Sequence, residues 1–123
     1  MNRNGYFGQK GEEKTCEYLK MHGYRVIERN FRCRTGEVDI IALKGDTVHF
    51  VEVKTRSNTG YGFPAESVTR EKQRRLLLAA KYFMACHHEY AVCKVQMDVA
   101  EVLMHDGRYY IRYVENAFGE GDN

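Results

Sequence analysis

The spacing of apolar and polar residues changes period several times along the chain, and each change predicts an element. From Gly8 to Gly23, Glu12, Cys16 and Leu19 recur on one helical face. That spacing predicts a first helix starting near residues 8–12 and stopping at Gly23, a residue suited to a C-terminal cap. Residues 24–28 read as a strand and residues 29–36 as an irregular segment. Two runs rich in β-branched and aromatic residues, 37–43 and 48–54, flank Lys44-Gly45-Asp46-Thr47, which predicts a β-hairpin. Residues 57–64 contain two glycines, an asparagine and a proline without apolar periodicity, so a loop is expected there. Thr69 is a good N-cap, and Leu76, Leu77, Ala80, Phe83 and Met84 follow at helical spacing through about residue 86. Residues 90–104 and 108–114 read as two further strands joined at Asp106-Gly107. The sum is an α/β chain, a sheet flanked by helices.

The hairpin carries the first chemistry. Strand alternation puts Glu37 with Asp39 on one arm and Glu52 with Lys54 on the other. With Gly45 and Asp46 as the loop, Lys44 faces Thr47, and counting outward sets Asp39 opposite Glu52 and Glu37 opposite Lys54. Opposed Cβ atoms lie about 4.5–5.5 Å apart, a destabilising arrangement for two bare carboxylates. A divalent cation removes the conflict. Mg²⁺ is commonly held by one or two carboxylates while keeping waters and phosphate oxygens, as a phosphodiester-cleaving site requires. The alternative is a solvated charged face. It explains less here, because Ile41, Leu43, Val48 and Phe50 share that face and the acids extend an apolar row. On the first helix, geometry selects Glu12 over Glu13 as the carboxylate that points inward; the alternative is that Glu12 only complements the helix dipole.

Composition bounds these readings. At 123 residues, 43% hydrophobic, with nine Tyr, six Phe and one Pro, residues 1–123 should form one domain, with disorder expected only over about 1–7 and 119–123. No stretch approaches a membrane span and the start lacks a secretion signal, so the cytoplasm is expected. The four cysteines lack CxxC spacing and are expected reduced; Cys86-His87-His88 with Cys93 is a poor match to zinc-ligand spacing. The net charge of +2 includes three acids in the last nine residues with no Lys or Arg, which leaves +5 on the body. Arg25, Arg29, Arg32 and Arg34 crowd one segment, with Phe31 among them to cover a base or sugar. Arg70, Lys72, Gln73, Arg74 and Arg75 crowd the start of the second helix. Both read either as walls of a nucleic-acid groove or as solvated basic faces. Tyr61 or Phe63 would stack on an unpaired base if the 57–64 loop is more than a connector. Asp98 reads as a brace for the sheet.

Asp39 followed by Glu52-Xaa-Lys54 resembles the PD-(D/E)XK nuclease superfamily of restriction endonucleases and archaeal Holliday junction resolvases. A closer resemblance, to the YraN or UPF0102 family, rests on motifs spread over nearly the whole chain. They are Gly11-Glu12, Gly23-Tyr24, Asn30-Phe31-Arg32, Gly36-Glu37-Val38-Asp39-Ile40-Ile41, Phe50-Val51-Glu52-Val53-Lys54-Thr55-Arg56, Lys72-Gln73-Arg74-Arg75-Leu76 and Glu115-Asn116-Ala117-Phe118. Thr15-Cys16 and Met97-Asp98 depart from the usual alanine pair and Phe-Asp. The resemblance implies a restriction-endonuclease-like mixed sheet and a site in which Asp39, Glu52, the Val53 carbonyl and Glu12 hold Mg²⁺ or Mn²⁺. It also implies that Lys54 orients or deprotonates the attacking water and that Lys72 and Gln73 border the site; Glu37, opposite Lys54 in the hairpin register, is expected to tune or position that lysine. Branched DNA follows only from the likeness to resolvases, and a homodimer follows mainly from it. Tyr109, Tyr110, Ile111, Tyr113 and Phe118 add a little, as an aromatic-rich final strand suited to an interface. Two other readings stay open: a non-catalytic nucleic-acid-binding or adaptor module, and a metal-binding protein of unrelated purpose.

Overall fold

Helix α1 (Tyr6–Met21) buries Glu12, Thr15, Cys16 and Leu19 and exposes Glu13, Glu17 and Lys20. Buried positions spaced three and four apart form the stripe that seats a helix on a sheet. The computed structural model describes residues 5–57 and 68–119. The expected loop beyond Ser57 and most of the expected disordered ends lie outside the described residues, although the helix already begins at Tyr6.

Five strands follow: β1 (Arg25–Cys33), β2 (Gly36–Lys44), β3 (Thr47–Ser57), β4 (Lys94–His105) and β5 (Arg108–Phe118). They form one sheet in the order β1-β2-β3-β4-β5, antiparallel except for the parallel pair β3–β4. Parallel neighbours need a long crossover, and this one contains α2 (Arg70–Cys86), capped by the Thr69 hydroxyl, which accepts from Lys72 N–H at 3.2 Å. The result is the expected α/β architecture, a mixed sheet with one helix on each face. Among the described residues no helix is long and apolar enough to cross a membrane.

The core is double. On the α2 face, Phe31, Val48, Phe50, Leu76 and Phe83 pack together, with Phe83 edge-on to Phe31 and Phe50 at 5.3 and 5.7 Å. Fully burying a phenylalanine contributes about 1.5–3 kcal/mol, so this aromatic group is a main anchor of α2. On the α1 face lie Cys16, Leu19, Tyr24, Ile40, Ala42, Val51 and Ala100. Burial also pushes the Cys16 thiol pKa upward.

Three expectations change. The segment after residue 28 is not irregular: β1 runs to Cys33, bent by a bulge between Val26 and Glu28 and by Asn30 at φ 54°. The arginines there mask the strand because β1 is an edge and they face water, while Phe31 is core and covers no ligand. Residues 88–90 form a 3₁₀ turn, with the His87 ring stacked on Phe83 at 3.8 Å, and β4 begins only at Lys94. The aromatic surplus of β5, the other edge, is partly absorbed: Tyr113 packs on the α1 face and Phe118 on the α2 face, while Tyr110 stays exposed.

Candidate active site

The hairpin register is the expected one from Lys44–Thr47 to Ile40–Val51, where pairing of β2 with β3 ends. Past that point β3 continues beside β4 to Ser57, and β2 runs back beside β1 to Gly36. The two strands therefore fork. Asp39 and Glu52 are the first residues beyond the last pair, so the acids expected to face one another stand at the apex. The fork also explains why the expected Glu37–Lys54 pair is not in the ladder. Glu37 is registered opposite Arg32 on β1, with 3.5 Å between Oε1 and Nε, and half-buried Lys54 is registered opposite Glu101 on β4.

Asp39 also marks a break in alternation. Val38 packs on the α2 face with Ile41, whereas a regular strand would place it with Ile40 on the α1 face. The β1–β2 register itself is unshifted here, with Arg29 opposite Ile40 and Phe31 opposite Val38, and Asn30 between them has φ 54°. The Asp39 carboxylate bridges the apex: its Oδ2 accepts from Val53 N–H at 2.8 Å. It thus ties the two arms where main-chain pairing has stopped.

Both helices reach this apex. A Cβ on Gly11 would lie 1.9 Å from Thr55 Oγ1, so only glycine lets α1 press this closely on the β3 arm. The next residue, Glu12, is 1% exposed, and its Oε1 lies 3.5 Å from Arg29 of β1, the strand beside the other arm. Helix α1 thus spans the fork, and the selection of Glu12 over exposed Glu13 holds. From the opposite face, Lys72 of α2 places Nζ 3.0 Å from Glu52 Oε2, joining a 31% exposed ammonium to a 3% exposed carboxylate. No signal in local spacing announces the Lys72–Glu52 or Arg29–Glu12 pairs, because each joins elements far apart in sequence.

The basic residues divide. Arg32, Arg34, Lys72 and Arg75 line a cavity of about 330 Å³ between the β1–β2 turn and the start of α2. Gln73 instead donates from Nε2 to the Val68 carbonyl at 2.8 Å, and Arg74 pairs with Glu71 at 2.9 Å. Neither is among the residues lining that cavity.

The sequence matches the uncharacterised protein family UPF0102 over residues 11–102, which takes in the helix, the fork and the basic cavity. The chain belongs to the UPF0102 family. A UPF0102 protein of Caldicellulosiruptor saccharolyticus is 46% identical over 113 residues, covering 90% of this chain and 95% of the relative. Another, from Symbiobacterium thermophilum, is 47% identical over 113 residues, 90% of this chain and 94% of the relative. A third, from Geobacter metallireducens, is 42% identical, covering 94% and 93%. The UPF0102 relatives thus align with this chain over most of the length of both.

The side-chain donors at the fork, the two buried carboxylates of Asp39 and Glu52, are oxygens of the kind a hard cation takes. Among the described residues no three His, Cys, Asp or Glu side chains gather as metal ligands, so Glu12 does not join Asp39 and Glu52 in such a group. A two-carboxylate site completed by carbonyl and water suits Mg²⁺ or Mn²⁺, which keep several waters, better than a site closed by protein ligands.

Proposed function

We propose that this UPF0102 chain is a divalent-metal-dependent endonuclease of the PD-(D/E)XK type, acting on nucleic acid, by preference DNA, in the cytoplasm. The observation that carries the reading is the strand fork, which sets two buried carboxylates beside a lysine-bearing strand and a basic cavity. Asp39, Glu52 and the Val53 carbonyl would hold Mg²⁺ or Mn²⁺, with Glu12 acting through water; when bound, the ion supplies Lewis acidity at the scissile phosphate. Lys54 orients or deprotonates the attacking water and offsets the negative charge that develops on the phosphate. Arg32, Arg34, Lys72 and Arg75 set the backbone in place through charge-assisted hydrogen bonds. Glu37, held to Arg32, shapes that wall.

The test is incubation of the purified chain with branched, single-stranded and duplex DNA and Mn²⁺, beside Glu52→Ala. Cleavage by the wild type alone supports the reading, and the preferred form names the substrate. Equal products, or none, would end it. The second reading, a non-catalytic nucleic-acid-binding module, is favoured by one observation: Lys72 already neutralises Glu52 at 3.0 Å. Binding without cleavage and without a cation effect would select it. A homodimer built on the exposed β5 edge belongs with the branched-DNA version, and sedimentation at micromolar protein with and without a four-way junction decides it.

A further inference from the structure

The cavity beside the fork is built, not incidental. A Cβ on Gly36 would lie 3.0 Å from the Arg75 carbonyl oxygen, so the missing side chain lets the β1–β2 turn close on α2 and form the walls. Around the space stand Arg32, Arg34, Lys72 and Arg75, and Glu37 is the one carboxylate among the described residues that line it. Its volume of about 330 Å³ is at the small end of the ~300–1,000 Å³ range of ligand pockets, enough for one phosphate with its sugar. Arginine forks match phosphate oxygens in pairs. Lys72 belongs to both places: it lines the cavity and holds Glu52 at the fork.

We propose that this cavity binds a backbone phosphate of a nucleic-acid strand, adjacent to the position served by Asp39 and Glu52, and that Lys72 couples the two sites. With neither ligand present, the Lys72 ammonium neutralises Glu52. A divalent cation at Glu52 displaces that ammonium and repels it, while a phosphate in the cavity gives it a new counter-charge. Each ligand therefore raises the affinity of the other, by equal factors. The coupling rests on the metal reading of the fork; the phosphate site does not.

The test uses the full chain and a short fluorescent single-stranded oligodeoxynucleotide, first in EDTA. Arg34→Ala and Arg75→Ala each remove an exposed side chain, so the fold should survive, as an unchanged melting curve would confirm. Each should weaken binding about tenfold and lower the slope of log affinity against log salt by about 0.7. Arg34→Lys should restore only part of the loss, and Lys94→Ala, at the far end of the sheet, should change nothing. Unchanged affinity and slope in both arginine variants would overturn the site. Competition by inorganic phosphate or a nucleoside monophosphate as strong as by the strand would overturn the backbone assignment in favour of a free monoester. Ca²⁺ is then titrated calorimetrically with and without the oligonucleotide. The strand should raise Ca²⁺ affinity at least about fivefold, and Lys72→Met should abolish that gain while tightening Ca²⁺ alone. Independent binding of both ligands by the wild type would overturn the coupling. No cation binding at all, with the arginine effects intact, would overturn both the coupling and the metal reading while establishing the phosphate site.

Discussion

Two groups of buried acids lie in or against this sheet, and they are held in opposite ways. Asp98 on β4 is fully buried; of its partners His49 is buried with it and Tyr113 is half-buried. Its Oδ2 lies 2.7 Å from His49 Nδ1, the distance of a bond donated by the ring, and accepts from Tyr113 O–H at 2.6 Å, while Oδ1 accepts from Asn116 N–H at 2.9 Å. These donors come from the two neighbouring strands, β3 and β5, and one is main chain at the β4–β5 irregularity between Met97 and Val99. Glu52 and Glu12 are as deeply buried, but their ion-pair partners Lys72 and Arg29 are 31% and 40% exposed. An acid held at once by several short hydrogen bonds, one of them from main chain, braces a fold. One bound to long side chains that reach water can exchange its partner for a ligand at small cost.

That contrast is broken most directly by Asp98→Ala. It strands a ring N–H, a phenol and a peptide N–H, and should cost about 3–5 kcal/mol by urea melting, whereas Glu52→Gln should change stability by less than about 1 kcal/mol. Equal losses would erase the distinction. Next, Mg²⁺ or Mn²⁺ at a hundred times its Kd should stabilise the wild type by about 2.7 kcal/mol, a gain that Asp39→Asn or Glu52→Gln abolishes and Tyr113→Phe preserves. A melting temperature indifferent to millimolar metal would leave the fork without its ligand.

Smaller still, Tyr113→Phe removes one neutral donor from Asp98 and should cost about 1–2 kcal/mol, read from the denaturation midpoint, without changing metal-dependent stabilisation. The smallest effect is alkaline. Burial, with Glu115 and Asp98 adding repulsion, pushes the Tyr24 pKa up to about 12, and burial with Asp98 raises that of Tyr113 further. Below about pH 10, the phenol range, both states keep these protons and the contribution is flat. Above it the unfolded chain loses protons that the folded chain retains, so stability should fall as pH rises towards 12. Tyr24→Phe should flatten that decline in pH-dependent urea melts, and a decline unchanged in the variant would assign it elsewhere.

What the sequence revealed and what it hid follow the same division. Glu12, Asp39 and Glu52 were legible because helical and strand periods are local, and a buried acid in an apolar row stands out. Asp98 was legible as a brace, though not its partners His49 and Tyr113, which are distant in the chain. The fork was hidden, because it depends on β4 drawing β3 away from β2. So was the displacement of Glu37 from Lys54, which follows from the fork. The strand through Arg29–Cys33 was hidden by an edge position that tolerates arginine and by Asn30 in the left-handed region.

The parallel pairing of β3 with β4, from Thr47–Lys94 to Ser57–Met104, joins segments far apart in sequence, while β1, β2 and β3 are linked by short turns. Closing a long loop costs more entropy than closing a hairpin, and non-local strand pairing slows folding. During folding, then, the meander that brings Asp39 and Glu52 together should gain amide protection before β4 docks. In that interval Asp39 and Glu52 sit at the end of a closed hairpin, and the fork opens only when β4 takes up β3. Pulsed hydrogen exchange during refolding should show Val48 and Phe50 protected ahead of Val99 and Val102, so the last strand to arrive would be the one that turns a pair of opposed acids into a site.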